Sequence, residues 1–311
     1  MPNSVLEIRS ARKIYGKSTI ALDGVDLDLR EGEWLGLLGP NGAGKTTIIR
    51  AIAGRVRLNE GSVRVLGREV SRGGREAVEA RAQIGIVPQE IALYGNLTAR
   101  ENLEVFASLS GLAGNQRAER VKWALDFTGL TERAGDLVRT FSGGMKRRLN
   151  IAASVMHRPR IVLLDEPTVG VDPQSRERIW SMLRELRAEG ASLLLTSHQL
   201  DEVEKLCERI VIIDHGKVVA QGTLEELIEG TIGRGRLVTL VLDRAVSQEA
   251  IGFACTVQGE KISCNVNDVA AELPAILERL SADDRRVRDV QLTTPSLQSV
   301  FIHLTGRELR E

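Results

Sequence analysis

Aromatic side chains are scarce in this 311-residue chain, which has two Tyr, five Phe and three Trp. Ten rings are too few for a base-stacking platform of the kind that single-stranded nucleic acid needs. A basic surplus is also lacking, because 42 Lys and Arg face 42 Asp and Glu. Proteins that grip nucleic acid by neutralising phosphates carry such a surplus, so no nucleic-acid partner is expected. Long apolar runs are missing too. The longest stretch free of Asp, Glu, Lys and Arg, Val290 to Gly306, contains Pro295 and many polar residues. A spanning helix takes about 20 mostly apolar residues. The opening residues, Met1 to Glu7, show no basic-then-apolar export signal. Cysteine is rare: Cys207, Cys255 and Cys264 are odd in number and lack metal-ligand spacing, so reduced, packed thiols are expected. The chain reads as cytosolic unless a partner holds it at a membrane.

What remains is ordinary globular composition, 42% hydrophobic and 27% charged, with length for about two domains. Residues 5–29 alternate apolar and polar in short runs, as antiparallel strands do. The continuous run Trp34-Leu35-Gly36-Leu37-Leu38 then leads through a Gly-rich turn into a helix over 46–53, the opening of a parallel α/β sheet. Two more buried-strand runs, Ile161 to Leu164 and Ser192 to Thr196, flank a helix over 174–188 and form a βαβ unit. A mostly helical section lies between, with Thr98 and Glu101 spaced as a capping box and a further helix over 117–128. Asp214-His215-Gly216 reads as a hairpin turn, Thr223 caps a helix ending near Gly230, and Thr231 to Gly235 reads as a linker. Strand-like runs at 237–242, 262–266 and 287–292, with helices over 269–280 and after Pro295, make a small α+β tail. Its last helix has an apolar face (Leu297, Val300, Phe301, Leu304), suited to packing on its own domain or on a second tail across a dimer.

Chemistry concentrates in two places. Gly39-Pro40-Asn41-Gly42-Ala43-Gly44-Lys45-Thr46 matches the phosphate-binding loop pattern, with a strand before it and a helix after it. Such a loop curls so that backbone N–H groups face phosphate oxygens, and the helix N-terminus adds positive potential. Lys45 is expected to reach the β- and γ-phosphates, and the Thr46 hydroxyl to ligate Mg²⁺. The second place is Ile161-Val162-Leu163-Leu164-Asp165-Glu166, a buried strand ending in two acids at the sheet edge from which the loop also emerges. Asp165 suits a Mg²⁺ role through water, and Glu166 suits activation of an attacking water.

These residues, with Phe141-Ser142-Gly143-Gly144-Met145-Lys146-Arg147-Arg148 in signature position between them, make the sequence resemble the ABC ATPase family. The resemblance implies a P-loop NTPase fold of α/β class: a mixed-sheet core, an antiparallel β subdomain, a helical subdomain and a small α+β C-terminal domain. The ATP-binding domain would occupy 1–230, its helical subdomain about 90–158, and the accessory domain 231–311. Ser142, Gly143 and Gly144 would meet the γ-phosphate of an ATP held by a second subunit, with the cradle Gly39 to Thr47 holding its own. Gln89 would sense Mg²⁺ and the attacking water and link to a membrane permease. Asp172 would lie in the loop crossing the dimer interface, His198 would contact the γ-phosphate, and Tyr15 would stack on adenine. ATP and Mg²⁺ are the implied cofactors, with a homodimer driving a separate permease from the cytoplasmic face. One departure matters: Met145 stands where the family usually has Gln, followed by a basic cluster. This version, and the tail around Thr294 to Arg307, look most like ATPases of ABC-2 type drug and antibiotic exporters. A soluble ABC protein of translation would carry two cassettes, and a chromosome or repair ATPase a long coiled coil that the 94 residues between Thr47 and Ser142 lack. A regulatory cassette would lack Lys45, Glu166 or His198, and all three are present. An importer is the remaining alternative, because motor chemistry does not encode direction.

Overall fold

The computed structural model describes residues 3–16, 18–71, 73–233, 235–245, 255–282 and 285–306. In chain order its first elements are β1 (Ser4–Tyr15), β2 (Thr19–Arg30), β3 (Trp34–Leu38), α1 (Lys45–Ile52), β4 (Glu60–Val65), β5 (Arg68–Glu69), α2 (Arg75–Arg81) and β6 (Ile84–Val87). The helical section follows as α3 (Ala99–Leu109), α4 (Gly114–Thr128) and α5 (Gly143–Ser154). Next come β7 (Ile161–Asp165), α6 (Pro173–Ala188), β8 (Ser192–Ser197), α7 (Leu200–Leu206), β9 (Arg209–Asp214), β10 (Lys217–Gly222) and α8 (Leu224–Thr231). The tail holds β11 (Arg236–Leu242), β12 (Thr256–Gln258), β13 (Lys261–Val266), α9 (Val269–Ala282), β14 (Val287–Thr293) and α10 (Leu297–Thr305).

A six-stranded sheet of order β10-β9-β3-β8-β7-β6 carries the site, and its β9, β3, β8, β7 and β6 run parallel. Helices and a second sheet cover both of its faces, so its strands read as unbroken apolar runs. Alternate residues serve two cores. Val162, Leu164, Leu193 and Leu195 pack with α3 to α6, whereas Leu35, Leu37, Ile161, Leu163 and Leu194 pack with α1 and the antiparallel sheet β2-β1-β4-β5. β6 is a core strand that the sequence did not announce, because it has four residues and includes Gly85. That glycine is required: a Cβ there would stand 2.9 Å from the Ser154 carbonyl oxygen. α4 begins at Gly114, three residues ahead of the expected 117.

The chain divides into two compact units, Met1–Gln221 and Gly222–Leu309. In the second, α8 lies against α10, and the sheet β12-β13-β11-β14 packs on α9. Leu297, Val300 and Phe301 are buried by this chain alone, so the apolar face of α10 is satisfied without a second tail.

Candidate functional site

Register brings the site together. Leu38 of β3 lies beside Ser197 of β8, Thr196 beside Asp165 of β7, and Leu164 beside Val87 of β6. Four parallel strands thus end at one edge, and the residues following them share a small volume: the Gly39–Thr46 loop, His198, Glu166 and Gln89. Ligand crevices lie outside the carboxyl ends of such strands.

The loop's glycines meet hard constraints. Gly42 and Gly44 have φ of 83° and 111°, in the region that side chains disfavour. At Gly39 a Cβ would stand 2.3 Å from the Ile213 carbonyl oxygen, and at Gly44 2.6 Å from that of Ala21. α1 starts with no side-chain cap, which leaves its first N–H groups free for an anion. Lys45 Nζ donates to the carbonyls of Gly39 (2.7 Å) and Pro40 (3.2 Å) and lies 3.6 Å from Glu166 Oε1. Burial pushes the Lys45 ammonium's pKa down, against the pull of Glu166 and Asp165.

Glu166 sits at the centre. Its backbone takes φ of 49°, a strained value for a non-glycine, and its N–H donates to the Thr196 carbonyl at 3.1 Å. Oε2 accepts from Gln89 Nε2 at 3.2 Å. His198 Nδ1 lies 3.1 Å from Oε1 without the angles of a hydrogen bond. Asp165 Oδ1 accepts from Thr196 Oγ1 at 2.8 Å. Burial raises the Asp165 pKa from 3.8, with the neighbouring Glu166 charge adding to the rise. Its ionised form therefore costs stability at neutral pH. Asp165→Asn keeps the bond from Thr196 and should raise the thermal midpoint of the free protein by about 2–4 °C at pH 7. The gain should shrink as the pH falls through the raised pKa towards 3.8, where wild-type Asp165 takes up its proton. Calorimetric scans of both proteins across that range check it.

Pro40 to Thr47, Gln89 and Glu166 line one cavity with Ala21, and Thr46, Gln89 and Asp165 line a second. Thr46, Gln89 and Asp165 form an oxygen donor set of low charge. That set suits a Mg²⁺ ion that keeps waters and phosphate ligands, and among the described residues no cluster of His, Cys, Asp and Glu offers a full cage. Tyr15, at the end of β1, lines neither cavity; its ring is partly exposed, with Lys13 Nζ 5.1 Å from its centroid.

The signature residues gather elsewhere. Ser142 caps α5 by accepting from the Met145 N–H at 3.3 Å, and Ser142 and Gly143 are exposed. A Cβ on Gly144 would stand 2.1 Å from Ser175 Oγ and 3.5 Å from Asp172 Oδ2, so the signature packs against the start of α6. Asp172 caps that helix, accepting from Ser175 N–H at 2.9 Å, and these bonds hold its carboxyl below the usual range. Met145 packs partly against the helical core.

Two buried side chains that sequence reading passed over tie these parts together. Glu202 accepts from Thr168 Oγ1 (2.7 Å), Ser197 Oγ (2.8 Å) and Trp180 Nε1 (3.1 Å), which latches the segments carrying Glu166 and His198 to α6. In sequence it is one of several acids opening α7 and carries no distinguishing signal. Arg147, on α5, reaches the backbone beside Gln89; only its place in the basic cluster hinted at a role.

A family model described as ABC transporter matches residues 22–169. The linearmycin resistance ATP-binding protein of Bacillus subtilis strain 168 is 40% identical, covering 99% of this chain and 100% of that protein. A daunorubicin resistance ATP-binding protein of Streptomyces coeruleorubidus is 38% identical over 98% and 96%. The Nod factor export ATP-binding protein I of Paraburkholderia xenovorans is 36% identical over 100% of each chain. Among solved structures, a dimeric post-hydrolysis ATP-binding cassette bound to ADP and Pi aligns with a TM-score of 0.64 and 28% identity, over 70% of this chain and 98% of that one. A nucleotide-free cassette of an ABC transporter aligns with a TM-score of 0.64 and 26% identity, over 73% and 94%.

Proposed function

The chain belongs to the ABC transporter family as an ATP-hydrolysing subunit of exporter type, and from that premise we propose how its own residues work and what they drive. The observation that carries the reading is the convergence of Lys45, Gln89, Asp165, Glu166 and His198 at the ends of four adjacent parallel strands. ATP places its phosphates against the Gly39–Thr47 cradle and the start of α1, with Tyr15 against the base. Lys45 already spends two donors on the loop carbonyls, so its third serves either Glu166 or the γ-phosphate. A phosphate that takes Lys45 draws the ammonium away from Glu166 and leaves its carboxylate free to face the attacking water. Glu166 then orients and deprotonates the attacking water, Gln89 positions that water, and His198 donates to the γ-phosphate. Thr46, Gln89 and Asp165 hold Mg²⁺, which when bound offsets the charge of the β- and γ-phosphate oxygens.

Each chain supplies one phosphate loop and one signature. Ser142, Gly143 and Gly144 stand apart from that loop beside Asp172, which suits them to the ATP of a second copy across a homodimer. ABC ATPases work in pairs with a membrane permease. No helix of the described residues is long and apolar enough to cross a membrane. We place this subunit peripherally on the cytoplasmic face, held by that permease. We assign residues 1–230 to the ATP-binding domain and residues 231–311 to an accessory domain, with α8 already belonging to the second compact unit, which begins at Gly222. The named relatives serve linearmycin resistance, daunorubicin resistance and Nod factor export, which supports a drug, antibiotic or lipid-like compound as cargo.

Lys45→Ala tests the motor reading. Losing a charge-assisted contact costs about 1.5–3 kcal/mol, or roughly ten- to a hundredfold in ATP affinity. Inside-out vesicles carrying this subunit and its permease should accumulate an amphipathic drug with ATP, and the Lys45→Ala vesicles should not. Equal uptake by both would exclude this chain as the motor.

A further inference from the structure

We propose that Arg147 is a positioning residue that sets the distance between Gln89 and Glu166 from the signature helix α5. The inference rests on the roles just given to Gln89 and Glu166. Arg147 is 5% exposed, and its Nη1 donates to the Pro88 carbonyl at 2.9 Å and its Nη2 to the Gln89 carbonyl at 2.5 Å. A planar fork thus holds two successive backbone carbonyls of the loop that follows β6. No ion pair joins Arg147 to a carboxylate among the described residues, and its Nε has no hydrogen-bond partner. A buried cation without a counter-charge is costly, and an apolar side chain would fill the same space without that cost. The two carbonyls beside Gln89 are what its charge holds in exchange.

The consequence runs along one helix. Ser142 and Gly143 open α5 with exposed backbone, and Arg147 follows one turn later. From the gripped loop, Gln89 Nε2 reaches Glu166 Oε2 at 3.2 Å. An anion that shifts the start of α5 therefore shifts the Gln89 backbone and, through its amide, the carboxylate that activates water. Arginine suits this task because its fork fixes two acceptors at once, whereas an ammonium is a single point of attachment. The neighbouring Arg148 makes a different tie, donating to the Thr128 carbonyl at the end of α4, so the two arginines of the cluster are not redundant.

A double-mutant cycle on the full chain decides it. Steady-state hydrolysis is compared for wild type, Gln89→Ala, Arg147→Met and the double variant, with Arg147→Lys alongside. Arg147→Met should lower kcat about ten- to a hundredfold and leave KM for ATP within about twofold, as misplacement without lost binding requires. Arg147→Lys should recover part of the loss. The double variant should be no slower than Gln89→Ala alone, because Arg147 acts through Gln89. Multiplied effects in the double variant, or full kcat in Arg147→Met, would overturn the inference while leaving the role of Gln89 standing. Full kcat in Gln89→Ala would instead remove the reading of Gln89, and this inference with it. Should Arg147→Met fail to fold in thermal scans, the same cycle is run with Arg147→Lys, which retains the buried charge. A lowered kcat that does not multiply with Gln89→Ala then supports the inference, and multiplied effects or full kcat overturn it.

Discussion

Glu166→Gln is expected to lose about 10²–10⁴-fold in kcat while still binding ATP. The carboxylate is 7% exposed and faces Lys45, His198 and Gln89 within 3.6 Å. An amide of the same shape occupies that space but cannot take a proton from water, so the loss falls on chemistry alone. The phosphates' contacts to the loop N–H groups, Lys45 and Thr46 are untouched, so nucleotide affinity should stay near the wild-type value. Stability should not suffer, because the substitution removes one of two adjacent buried carboxylates. With hydrolysis blocked and binding intact, two ATP molecules should hold two subunits together, and size-exclusion runs with ATP should show a dimer that wild type forms only transiently. Phosphate release under single-turnover conditions measures the loss. A variant that turns over at the wild-type rate would show that the base lies elsewhere.

The chemistry was legible in sequence where it is written in contiguous residues. Gly39 to Thr46 and Ile161 to Glu166 each carry their own strand, turn and functional groups, and the structure has only to place their ends side by side. Gln89, His198 and Asp172 stand alone in sequence, and only the family resemblance singled them out. What escaped reading depends on which strands become neighbours. Thr196 is an unremarked strand residue until β8 lies beside β7 and its hydroxyl meets Asp165. Glu202 looks like a solvated helix acid until Thr168, Ser197 and Trp180 converge on it. β6 is too short for periodicity to count, yet it delivers Gln89. Arg147 and Arg148 look alike as letters and differ wholly in what they grip. Periodicity reports a residue's burial, whereas pairing partners arise from tertiary register, which no local pattern encodes.

Tyr94→Asp should abolish association with the membrane permease, and with it transport, while hydrolysis by the isolated subunit stays within about twofold of wild type. The segment Ile91 to Leu97 follows Gln89, and two buried asparagines fasten its backbone. Asn102 of α3 accepts from the Tyr94 N–H at 2.8 Å and donates to its carbonyl at 3.0 Å, and Asn150 of α5 accepts from the Ala92 N–H at 3.1 Å. Leu93 packs against the helical core. Tyr94, by contrast, is 53% exposed, with its ring only loosely tilted over Phe106 at 6.3 Å between centroids, and Ile91 beside it is 38% exposed. The side chain can therefore change without unfolding the segment that carries it. An exposed aromatic on a rigid, hydrogen-bonded loop is the form that interface anchors take, and burying a carboxylate there costs about 2 kcal/mol or more, roughly thirtyfold in affinity. Asn150 ties the loop to α5, so a permease segment seated on Tyr94 would press on the helix that Ser142 caps and that carries Arg147. Co-purification of tagged permease with wild type and variant, beside phosphate release by each isolated subunit, separates the two roles. If Tyr94→Asp loses hydrolysis or its folded signal in circular dichroism, the ring is structural, and the permease contact lies elsewhere in the helical section.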